Sequence, residues 1–315
     1  MKIVYLFFLT LILSCDVGEI PTDPRPSGLL TTTSVEMMEN YQMQVYFDLY
    51  KNEIISNTVK TDWDICFESG YSGWRININS SKFMQVWEVN NENFNSNLNI
   101  SNAIWKWDHQ SGNPDSNAIG DYRNKEVFYV IDMGYSVDDD PIGYIKLSID
   151  SVNNDSYTIR LSSLENDNDT TIDIEKSAEY EKIYFSFEEY SIKEIEPSYW
   201  DLLFTTYTHL FSPDFPYLVS GVLTNTSHVK VAKDTIHNFE DINFDVVENL
   251  NFSSDQNIIG YNWKSYDLNS GVYSINTSIN YLIKTHSDKY FKLRFIDFYD
   301  TNGIKGYPKF EFQEL

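Results

Sequence analysis

Cysteine is nearly absent: the 315 residues contain two, Cys15 and Cys66. So small a number leaves no room for a disulfide framework or a cysteine-rich metal site. Cys66 lies in the apolar stretch "DICF", where it reads as a small buried hydrophobe. Glycine is also sparse, at 13 residues, which excludes collagen-like and low-complexity chains. Basic residues number 23 against 47 acidic ones, for a formal net charge of −24. Such a surface repels phosphate backbones and anionic bilayers, so nucleic acid is not an expected partner. Catalytic signatures are missing as well: there is no nucleophile elbow, phosphate loop or HExxH. The expectation is a protein that is not an enzyme.

The N-terminus, "MKIVYLFFLTLILSC", has one lysine and then an apolar run from Ile3 to Leu13. That run is too short for a comfortable membrane helix and has the proportions of a signal h-region. Ser14 directly before Cys15 is similar to a bacterial lipobox. The resemblance implies cleavage before Cys15 and lipidation there, which would anchor the protein without a spanning segment. Residues 1–15 are thus expected to be a lipoprotein signal peptide. Residues 16–34, acidic and Pro-rich, read as a tether.

Aromatic residues are abundant at 16%, and the period-2 alternation of "YFKLRFIDFYD" and "GVYSINTSINYLIKT" predicts half-buried strands. Asn302-Gly303 between strand-like runs marks a hairpin. The fold class expected is all-β, mainly antiparallel. The acidic triplet in "DDDPIG", 138–143, reads as a turn, since it lacks the alternating ligands of a calcium loop.

Features recur in order. Tyr46-Phe47 returns as Tyr184-Phe185, Trp63-Asp64 as Trp200-Asp201, Trp107 as Trp263, and Lys146-Leu147 as Lys292-Leu293. The offsets are 138, 137, 156 and 146, which argues for an internal duplication. Two similar tandem β modules are expected, over 35–170 and 180–315. In both copies the Trp-Asp pair reads as structural, an indole for the core and a carboxylate for backbone donors.

The segments "YFSF", "YWDLLFTTYT", "YLVSGVLTN" and the ending "YFKLRFIDFYDTNGIKGYPKFEF" resemble the HmuY family of bacterial haem-binding outer-membrane lipoproteins. The resemblance is clearest over 180–315 and fainter over 35–165. It implies a lipid-anchored, non-enzymatic β protein of the outer membrane that presents haem or a related porphyrin to an outer-membrane transporter at the cell surface. The family's best-known member grips iron with two histidines, and "SYDLNSGVY", 265–273, has none at the late position.

Among the histidines, His209 is the most site-like, because it follows the strand "LLFTTYT" and precedes the apolar loop "LFSPDFPYL". It is the candidate metal ligand, an imidazole being a suitable axial ligand for haem iron. His228 is the second cofactor-binding candidate, since a chain reversal between the two could bring it near. His109 stands alone in "WDHQSG", and His286 falls at an expected turn tip. The alternative function is a tandem β-module lipoprotein that binds a glycan, a peptide or a membrane-protein partner without haem. Exposed Tyr and Trp on a β face could stack on sugars.

Overall fold

The computed structural model describes residues 27–212, 215–285 and 287–315. Cys15, the lipobox and most of the tether lie outside the described residues, as does His286. The described chain is nearly all β, in antiparallel sheets. No described helix is long and apolar enough to cross a membrane.

The first copy of the repeat supplies β1 (Thr31–Ser34), β2 (Met43–Asp48), β3 (Glu53–Val59), β4 (Ile65–Glu68) and β5 (Ile76–Ile78). It continues through β6 (Gln85–Asn90), β7 (Val127–Asp132), β8 (Tyr144–Val152) and β9 (Ser156–Ser162). The second copy begins with β10 (Thr170–Glu175), β11 (Lys182–Ser186), β12 (Ser191–Lys193), β13 (Leu202–Ser212) and β14 (Phe215–Thr224). After β15 (Lys230–Asp234) come a short helix, Phe244–Val247, and the small hairpin β16 (Lys264–Asp267) and β17 (Val272–Ile275). The chain closes with β18 (Asn280–Lys284), β19 (Tyr290–Tyr299) and β20 (Lys305–Glu314).

The sheets cross the boundary expected between residues 170 and 180. Two five-stranded sheets run β10-β9-β8-β7-β6 and β1-β20-β19-β18-β15. Two four-stranded sheets run β12-β11-β4-β5 and β3-β2-β13-β14. Each copy therefore lends its opening strands to the other. β1 to β3 complete the sheets of β13 to β20, while β10 to β12 complete those of β4 to β9. The result is two lobes, each a pair of sheets packed face to face over one core. One core joins Phe67, Tyr129 and Tyr157 to Phe185 from the second copy. The other joins Phe204, Trp263 and Phe310 to Val45 and Phe47 from the first. Two sequence modules thus become two lobes with exchanged strands, because each opening hairpin docks on the strand that follows the other copy's Trp-Asp.

The repeated Lys-Leu pairs occupy equivalent central strands, β8 and β19. Leu147 and Leu293 are fully buried in the two cores. Their lysine neighbours turn to the opposite face and are buried too, which alternation alone would not foretell. Lys146 donates to the Phe94 carbonyl at 2.8 Å and to Asn166. Lys292 donates to the carbonyls of Phe239 and Ile242 at 2.8 and 3.1 Å. Each ammonium lies over a phenyl ring, Phe94 at 5.1 Å and Phe239 at 4.8 Å, so the charge is solvated by carbonyl dipoles and π faces. The Asn302-Gly303 hairpin forms as expected, with Gly303 at φ +80° between β19 and β20.

Trp107 and Trp263, paired in the sequence reading, do not hold matching places. Lys106 bridges Val86 on β6, and the equivalent bridge on β15 is made by Ser253 with Val231. Trp263 lies ten residues further on, inside the aromatic core of the same lobe as Val231, stacked on Phe295 at 4.0 Å. Its irregular offset of 156 was the signal.

Candidate functional site

A cleft of about 1020 Å³ opens between the lobes. Its walls come from matching positions of the two copies: Gln44 and Lys182, Tyr46 and Tyr184, Trp63 and Trp200, Cys66 and Leu203. These pairs are 137 or 138 residues apart, so both copies of the repeat contribute the same positions to the cleft.

The Trp-Asp pairs build this seam. Tyr46 meets Trp200 edge-on at 5.1 Å, and Tyr184 meets Trp63 edge-on at 4.8 Å. Asp201 donates its backbone N–H to the Phe47 carbonyl and accepts the Leu49 N–H at 2.8 Å. Asp64 donates its N–H to the Phe185 carbonyl and accepts the Phe187 N–H at 2.7 Å. Each aspartate thus stitches the exchanged hairpin of the other copy, and the structural reading of Trp-Asp accounts for both.

The two seams differ in their partners. Trp200 Nε1 donates to Glu196 at 2.9 Å, and Tyr184 donates to the same carboxylate at 2.5 Å. Val59 stands at Glu196's place in the first copy, so the buried Trp63 Nε1 has no partner among the described residues. Conversely, Asp64 pairs with the buried Lys82, whereas Asp201 Oδ1 has no partner among the described residues. The reason lies in a repeat that the sequence reading missed. "NSSK", 79–82, recurs as "NTSH", 225–228, at an offset of 146. Both open on an asparagine whose side chain accepts an N–H two residues on, from Ser81 at 2.9 Å and Ser227 at 3.0 Å. His228 therefore stands where the first copy has Lys82. Without that lysine, burial pushes the Asp201 carboxyl up to about 7, against the Leu49 hydrogen bond, which pulls it down.

This placement separates the two histidine candidates. β13 and β14 pair from Leu202↔Thr224 to Ser212↔Phe215, with His209 opposite Tyr217 near one end. His228 follows the other end of the hairpin. At about 3.4 Å per residue, the seven residues from Leu202 to His209 span about 24 Å. The reversal between the histidines is a long hairpin, and its length keeps them apart. His228 contacts Glu181 at 3.2 Å instead.

His209 has aromatic company. Phe211 lies 4.7 Å away, Tyr261 5.0 Å and Tyr207 6.3 Å, all edge-on. Its Nδ1 is buried with no hydrogen-bond partner among the described residues. Burial, and then the nearby His109, hold its pKa below the ordinary imidazole value. The loop carrying His109 is fixed to β13, since the Gln110 side chain bonds both backbone groups of Leu210. The hairpin end also exposes Phe211, Phe215 and Tyr217, by 50, 58 and 59%.

Cys66 is buried, and burial pushes its thiol up to about 12, so it is an inert wall residue. Met37, Met84 and Met133 fill core gaps. No cluster of three or more metal-ligating His, Cys, Asp or Glu side chains occurs among the described residues.

The family model for HmuY protein matches residues 40–312. The chain belongs to the HmuY family. The match is one span running across both copies of the repeat. No curated protein sequence matches the chain. Among solved structures, it is similar to the apo HmuY analog of Tannerella forsythia, at 9% identity and a TM-score of 0.35, covering 93% of this chain and 98% of that one. It is also similar to apo PinO from Porphyromonas gingivitis, at 8% identity and 0.36, covering 91% and 97%.

Proposed function

We propose that this HmuY-family protein is a lipid-anchored, non-enzymatic binder of haem or a related porphyrin that hands its cargo to an outer-membrane transporter. The carrying observation is the His209 imidazole, held neutral by burial at the aromatic end of the β13–β14 hairpin. A neutral imidazole is what haem iron takes as an axial ligand. Phe211, Phe215 and Tyr217 offer exposed apolar ring surface beside it, suited to a flat macrocycle. His228 lies too far along the hairpin to serve the same iron, whereas His109, close enough to lower the His209 pKa, stands beside it.

An absorbance titration with hemin tests the reading. Wild-type protein is expected to give a saturable Soret change. Protonation of His209 removes the ligand, and its depressed pKa delays that event. Binding should therefore persist below about pH 6.5, the ordinary imidazole value, and fail at more acid pH. No Soret change at neutral pH would remove the haem reading.

Anchoring rests on Cys15. Cys15→Ala should abolish metabolic labelling with palmitate and release soluble protein; labelling that persists would refute the anchor.

A second reading, partner binding without haem, draws support from the polar cleft at the seam.

A further inference from the structure

The central cleft does not include His209 in its walls, and its chemistry differs from that of the hairpin end. Its volume of about 1020 Å³ sits at the top of the range of about 300–1,000 Å³ usual for small-molecule sites. Four carboxylates line it, Glu68, Asp108, Glu181 and Asp255, against two permanent cations, Arg75 and Lys182. Neither cation is spare. Arg75 meets Glu68 at 3.4 Å and Asp115 at 2.9 Å, and Lys182 faces Glu196 at 3.8 Å. A dianionic ligand such as a porphyrin with two carboxylates would enter an acidic cleft with no free cation to meet it.

The remaining lining is uncharged and alternates ring surface with hydrogen-bonding side chains. Trp63 is half-buried, and Tyr180 is 45% exposed at the mouth. Amides and hydroxyls line the cleft as well, among them Ser80, Thr226 and Gln256. Sugar rings have the complementary build, with C–H faces that pack on aromatic rings and hydroxyl edges that donate and accept.

We propose that the cleft binds a neutral oligosaccharide, independently of haem. Side-chain amides and hydroxyls bind its hydroxyls, directly or through water, while Trp63 and Tyr180 cover its ring faces. With Arg75 and Lys182 already paired to carboxylates, the cleft offers uronate-rich and sulfated chains no unpaired lysine or arginine among its lining residues.

Calorimetry and tryptophan fluorescence with short glucan, mannan and xylan oligomers test this on the whole protein. At least one neutral oligomer is expected to bind saturably and shift the emission of Trp63 and Trp200, while polyuronates and sulfated oligomers do not bind. Tyr180→Ala, at an exposed position that does not endanger folding, should weaken binding about tenfold, and Trp63→Leu at least as much. Absence of binding by every neutral oligomer would overturn the proposal. So would preferential binding of the acidic ones, or affinity unchanged in Tyr180→Ala. Hemin titration of the same protein is a separate readout, so the haem reading stands or falls without reference to the cleft.

Discussion

Asp64→Ala is expected to lower stability by about 3–5 kcal/mol, the cost of breaking a buried ion pair by removing one partner. Lys82 and Asp64 are both almost fully buried, with side-chain exposures of 4 and 3%. The substitution strands the Lys82 ammonium inside the protein. It also leaves the Phe187 N–H without its acceptor, loosening the hairpin that the second copy lends to the first lobe. Equilibrium urea unfolding measures the loss. Lys82→Ala should cost a similar amount, and the double variant much less than the sum of the two. A loss below about 1 kcal/mol, the value of an exposed pair, would contradict the pairing.

Asp201, the matching residue, should behave differently. It has the same backbone role but no lysine, and burial raises its carboxyl from 3.8 to about 7. Between those values the folded state holds a proton that the unfolded state releases. Stability from this group is thus fully present below about pH 4 and is lost as pH rises through about 7. At 1.36 kcal/mol per pH unit, the whole effect is on the order of 4 kcal/mol. Asp201→Asn keeps an oxygen for the Leu49 N–H and removes the titration. The variant should therefore show a flatter stability profile between about pH 4 and 8 and exceed wild type at the alkaline end. Unfolding free energies at several pH values decide it; an Asp201→Asn profile parallel to wild type would refute the assignment.

Much of this was legible in the sequence. Alternation marks the strands, and each Trp-Asp pair reads as structural, as its aspartate's backbone bonds bear out. The exchange of strands was not legible, because β2 and β11 carry equivalent residues and either could dock on β4 or β13. Only the paths of the connections, residues 60–64 and 194–201, decide which hairpin goes where. The site was legible in part. His209 could be singled out from its apolar flanks, but its distance from His228 depends on a hairpin of 11 and 10 residues, whose length a loop-like "SPDFP" concealed. His228 had a signal that went unread: the match of "NTSH" to "NSSK" places it at a structural lysine's position. The cleft had none, since its walls are drawn from both copies and meet only through the exchange.

The haem reading comes down to one imidazole. The most direct measurement is a hemin titration of wild-type and His209→Ala protein side by side, followed at the Soret band. Loss of the axial nitrogen should shift the band and weaken binding in His209→Ala, while His228→Ala matches wild type. Identical spectra and affinity in wild type and His209→Ala would contradict the account.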